Sequence, residues 1–73
     1  MSVKVEQGHV VRVVSGPGKG RKGTVRFRCT VPGGEHTARI LWDELGTADT
    51  DVSVDDIEVQ VREGRHLVWR KGS

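Results

Sequence analysis

The chain contains no asparagine and no tyrosine, and its one cysteine is Cys29. Without asparagine there is no N-glycosylation acceptor. A single thiol closes no internal disulfide, so the sequence is not a cystine-stapled secreted scaffold, and a reduced, cytoplasmic setting is expected. No stretch approaches the roughly 20 apolar residues that span a bilayer. The opening Met1-Ser2-Val3-Lys4-Val5-Glu6 lacks the apolar run of a signal peptide. No membrane is therefore expected among the partners. Apolar residues at a 3.6-residue period are also missing, which excludes a substantial amphipathic helix. With 73 residues the chain is expected to form one domain over 1–73. So short a domain has little room to enclose a ligand pocket of roughly 300 Å³. Surface recognition is expected, with no enzyme activity, no cofactor and no metal.

What the sequence does have is short β-branched runs punctuated by glycine. Val10-Val11-Arg12-Val13-Val14 predicts a strand. Residues 15–23, rich in glycine and cations and holding Pro17, predict a loop, because a helix there would lose both propensity and a hydrogen bond. Thr24-Val25-Arg26-Phe27-Arg28-Cys29 alternates, placing Val25, Phe27 and Cys29 on one face and Arg26 and Arg28 on an exposed basic face. Residues 31–35 predict a hairpin connection, and 36–42 a strand with Ala38, Ile40 and Trp42 inward. Val52-Ser53-Val54 predicts a short strand, Asp55-Asp56-Ile57 a tight turn, and Glu58-Val59-Gln60-Val61 a further strand. Residues 62–73 are a candidate extra strand through Leu67-Val68-Trp69, ending in a frayed tail at Lys71-Gly72-Ser73. Many short strands and no helix predict an all-β barrel or sandwich.

Net charge is only +2, but its signs are segregated. From Arg12 to Arg28 the charged residues are Arg12, Lys19, Arg21, Lys22, Arg26 and Arg28, with no acid among them. From Asp43 to Glu58 all are acidic, Asp49, Asp51, Asp55 and Asp56 among them. The end turns basic again through Arg62, Arg65, Arg70 and Lys71. Unless folding interleaves these blocks, the surface is bipolar and steers a polyanion to one side.

The stretch from Gly8 to Val25 resembles a KOW motif. The resemblance is carried by Gly8, Val11, Val13, Gly16, Lys19, Gly20, Gly23 and Val25, and Ser15-Gly16-Pro17 is similar to the loop of NusG-type transcription elongation factors. Where the family often has an acid after the first glycine, this chain has His9. The resemblance implies a small SH3-like barrel of about five short antiparallel strands, as in NusG-type and ribosomal KOW domains. It also implies RNA or a nucleoprotein machine, RNA polymerase or ribosome, as the partner.

The residue chemistry agrees with a polyanion partner. Gly16, Gly18 and Gly20 let backbone approach a partner closely, and Gly23 sits where an unusual φ/ψ suits the return into a strand. Lys19, Arg21 and Lys22 put cations at the loop tip, Arg26 and Arg28 continue them along a strand, and Arg12 and the basic tail assist. Such cations contact phosphates without reading sequence. Phe27 and Trp42 are expected in the core, and Trp69 is a candidate for stacking on a base or packing on the barrel. The alternative is a protein–protein interaction module or accessory subunit, with Asp49, Asp51, Asp55 and Asp56 docking on a basic partner. Gly18-Lys19-Gly20-Arg21-Lys22-Gly23 spells G-x-G-x-x-G, but a strand follows it where a dinucleotide fold needs a helix. His9, His36, His66 and Cys29 lack metal-ligand spacing, and the acids lack the calcium-loop pattern.

Overall fold

The structure is a computed structural model that describes residues 2–30 and 32–73. Val31, the first residue of the expected hairpin connection, lies outside the described residues. The fold is all-β. In chain order its strands are β1 (Ser2–Val3), β2 (Val10–Val13), β3 (Lys22–Thr30), β4 (His36–Trp42), β5 (Thr50–Ser53), β6 (Ile57–Glu63) and β7 (His66–Gly72), with one 3₁₀ turn, Val54–Asp56, between β5 and β6. They form one seven-stranded sheet in the order β1-β7-β6-β2-β3-β4-β5.

Two parts of the expected topology are corrected. The sheet has seven strands where about five were expected, and it is mixed, because β1 runs parallel to β7 with Ser2 beside Lys71 and Val3 beside Gly72. Strands β1 and β5 form its two edges and do not pair with each other, so the sheet is not closed by hydrogen bonds. The tail is not frayed. Lys71 and Gly72 belong to β7, the Ser73 amide donates to the Val3 carbonyl at 2.9 Å, and the Ser73 carbonyl accepts from the Val5 amide at 3.0 Å. Gly72 is buried because the chain passes close here; a Cβ on it would lie 2.9 Å from Val5 Cγ2.

The core is small and rich in valine. Val5, Val11, Val13, Val25, Ala38, Ile40, Trp42, Val54, Ile57 and Val59 are buried, with Val3, Val52 and Val61 packed against them. Burial of one such aliphatic side chain contributes about 1.5–3 kcal/mol. The inner members alternate along β2, β4 and β6, as a half-buried sheet requires. Trp42 is inward as expected, and its indole N–H donates to Thr50 Oγ1 at 2.9 Å, satisfying the one polar atom it carries into the core.

The alternation fails in the middle of β3. The register against β4 shifts between Val25, which faces Ile40, and Phe27, which faces Arg39. One extra residue in a strand swaps its two faces beyond that point. Phe27, expected in the core, is 48% exposed, with the Arg39 guanidinium 5.9 Å from its ring centroid. Arg28, expected on the same exposed face as Arg26, instead faces the side of its buried partner Ala38.

Candidate nucleic-acid interface

The hairpin of β2 and β3 presents residues 14–21 as a loop held from three directions. The Gly20 amide donates to the Val13 carbonyl and the Val13 amide to the Arg21 carbonyl, both at 2.9 Å. Within the loop, Arg21 donates to the Gly18 carbonyl at 3.0 Å and Lys19 to the Gly16 carbonyl at 3.3 Å. From the 3₁₀ turn, the Asp56 carbonyl accepts from the Val14 amide at 2.8 Å, and Asp56 Oδ1 accepts from Ser15 Oγ at 2.7 Å. Asp56 therefore anchors the glycine loop. The amides of Lys19, Gly20 and Arg21 are already spent inside it, so its cations, more than its backbone, face a partner.

Two of the loop glycines have clear reasons. Gly16 has φ of +73°, and a Cβ there would sit 2.8 Å from Asp56 Oδ2. Gly23 lies within β3 and lacks positive φ, contrary to the unusual backbone expected for it. What it needs is space, since a Cβ would fall 2.5 Å from both Ile40 Cγ2 and the Leu41 carbonyl oxygen.

The acidic and basic blocks interleave. Arg12 meets Glu58, with Nη2 at 2.6 Å and Nε donating at 2.8 Å to the same Oε1. Arg26 Nη1 lies 3.2 Å from Asp49. Arg21 lies 3.6 Å from Glu44 and stacks 4.3 Å over the Trp42 ring, covering the edge of the core. Arg28 Nη1 donates to two carbonyls, of Val5 at 3.1 Å and Ser73 at 3.0 Å. Of the six candidate cations, Lys19, Lys22 and Arg28 have no acid at ion-pair distance among the described residues, and Arg28 is spent on the two carbonyls. Of the four candidate docking acids, Asp49 and Asp51 pair with arginines, Asp51 with Arg39 Nε at 2.9 Å. Asp56 holds the loop. Asp55 lines a shallow groove of about 460 Å³ together with Arg28, His36 and Ser53.

The strand register assembles a basic face that the loop-centred expectation missed. Lys22 faces Arg12, Arg12 faces Glu58, and Glu58 faces Lys71, giving one transverse row across β3, β2, β6 and β7. Each of the four alternates with buried neighbours (Val11 and Val13, Gly23, Ile57 and Val59, Gly72), so the row lies on the outer face. On the same side, Gln60 faces Trp69 two residues along from that row, and Arg62 faces Leu67 four residues along. This outer face thus carries Lys22, Arg12, Lys71 and Arg62 against one carboxylate, Glu58. Trp69 lies among them, with the Arg12 guanidinium 4.5 Å from its ring centroid. The two-residue alternation of Glu58, Gln60 and Arg62 was visible in the sequence. The pairing that sets Lys71 and Lys22 on either side of Arg12 was not.

No group of three or more metal-ligating side chains is present among the described residues. No helix is long and apolar enough to cross a membrane. No protein-family model matches the chain, and neither a curated protein nor a solved structure matches it.

Proposed function

We propose that this chain is a non-catalytic binding module of the KOW type, a variant of the SH3-like barrel, that docks on RNA or on a nucleoprotein such as RNA polymerase or the ribosome. The observation that carries this reading is the outer row Lys22, Arg12, Glu58 and Lys71, in which three cations face one acid across four adjacent strands. At about 4.8 Å between neighbouring strands, its two lysines stand roughly 14 Å apart, a span that covers successive phosphates of a nucleic-acid backbone. Lys19, on the loop that leads into β3, adds a further cation with no acid at ion-pair distance among the described residues. Because the contacts are to phosphate, binding is electrostatic and carries little sequence readout. The reading of the acidic stretch as a protein-docking face has less support, since three of its four acids are engaged within the fold.

The test is the salt dependence of affinity for a labelled RNA, in the native protein and in the variant Lys19→Ala/Lys22→Ala/Lys71→Ala. These residues hold no ion pair whose loss would confuse the result. Arg21 is left in place because it covers Trp42. The variant is expected to bind at least about tenfold more weakly at low salt and to depend less on salt. Equal affinity of the two proteins overturns the assignment.

A further inference from the structure

Resting on that reading, we infer that the outer face of β2, β6 and β7 holds a subsite for one unpaired nucleotide, with the Trp69 indole stacking on its base and Lys22 and Lys71 taking the flanking phosphates. Trp69 and Arg12 belong to strands separated by β6, and Trp69 faces Gln60 on that intervening strand. The strands carrying them are roughly 10 Å apart. For the guanidinium to lie 4.5 Å from the indole centroid, both side chains must lean across β6. Arg12 is fixed in this pose by two contacts to Glu58 Oε1 on the intervening strand. With Arg12 over one face of the indole, the base takes the opposite face, and a ring ordered before the ligand arrives loses little freedom on stacking.

Trp69 is only partly buried and is not a member of the core, unlike Trp42. Its surroundings on that face are cationic, with Lys71 two residues along its own strand and Arg62 on the neighbouring one. A flat ring among cations suits a base attached to phosphates, because every base has a π-face and every nucleotide a negative charge. The same geometry discriminates between nucleic acids. In a duplex the bases are stacked on one another and unavailable to a ring lying on a sheet, whereas in a single strand they splay out.

The experiment compares three probes at one low salt concentration: single-stranded RNA of ten nucleotides, a ten-base-pair RNA duplex, and inorganic polyphosphate. Each is titrated against the native protein, Trp69→Leu and Trp69→Phe, with a thermal melt of each variant to verify folding. The native protein is expected to prefer the single strand over the duplex. Trp69→Leu is expected to lose about tenfold or more on the single strand while its polyphosphate affinity stays the same, and Trp69→Phe to recover most of that loss. Equal binding of single strand and duplex, or a Trp69→Leu protein with unchanged single-strand affinity, overturns the subsite and leaves electrostatic docking standing. If Trp69→Leu is unfolded, Trp69→Met takes its place: a loss on the single strand with polyphosphate affinity unchanged supports stacking, and unchanged single-strand affinity refutes it. Failure of the native protein to bind any of the three overturns the subsite together with the functional reading beneath it.

Discussion

Gly23 illustrates how a single residue type is dictated by its neighbours. With Ile40 and the Leu41 backbone each 2.5 Å from where a Cβ would stand, β3 and β4 must move apart to admit alanine. Gly23→Ala is expected to destabilise the fold by about 2 kcal/mol or more, the scale of an overpacked core, measured by denaturant unfolding. Gly20→Ala, whose Cβ meets nothing within 4 Å, is expected to cost less despite its positive φ, because the strain there is local. A second residue-scale effect is electrostatic. The Arg70 guanidinium donates to both oxygens of Glu63, at 2.8 and 2.6 Å, and these hydrogen bonds hold the Glu63 carboxyl below its ordinary value. A carboxyl titrating lower in the folded than in the unfolded chain stabilises above its unfolded value, and that increment disappears as pH falls through the folded one. Glu63→Gln is expected to lose a small increment at neutral pH and to match the native protein in acid, beneath the ordinary carboxylate range. Melting temperatures across that range check it.

At the scale of elements, the shift within β3 decides most. It turns Phe27 outward and brings Arg28 in beneath the sheet, where one guanidinium nitrogen joins β3 to the carbonyls of Val5 and Ser73. This bond system spans the seam that the sheet leaves unpaired, since β1 lies at one edge and β3 belongs to the half that ends at β5. Arg28→Ala is expected to cost about 2 kcal/mol, as for hydrogen bonds from a charged group, and Arg28→Lys to restore most of it, because a single nitrogen makes both bonds and an ammonium carries three donors. Denaturant unfolding measures both. The bulge was not legible beforehand. Thr24 to Cys29 alternates without a fault, and a period of two carries no sign that one residue has been inserted. The strand at 36–42, by contrast, was fully legible, because Ala38, Ile40 and Trp42 keep their phase from end to end. Strand β1 escaped notice because two residues are too few to carry a period.

Across the whole molecule, what matters is how the charges are redistributed by folding. Along the chain, the acids from Asp43 to Glu58 form a block separate from the cations between Arg12 and Arg28. In the fold, Glu58, Glu44 and Asp49 lie against Arg12, Arg21 and Arg26. The surface is consequently less bipolar than the linear order implies, and the candidate site moves from the glycine loop with Arg26 and Arg28 to a face that joins Lys22 and Arg12 with Lys71 from the far end of the chain. Composition showed that cations were plentiful; only the strand order reveals which of them remain uncommitted. This sets the size of the effect in the triple-lysine variant. Each lost phosphate contact removes about 0.7 from the slope of log affinity against log salt for a single strand. Loss of all three contacts is therefore expected to flatten the slope by about 2.

The parallel pairing of β1 with β7 has a mechanical side. Because the two strands run the same way, Ser2 at the start of β1 and Ser73 just past β7 lie at opposite ends of the pair. Traction applied between them slides one strand past the other, so their ladder is loaded all at once and not opened rung by rung. A handle at each end would thus pull in line through the module, with the Arg28 tie beside the ladder sharing the strain.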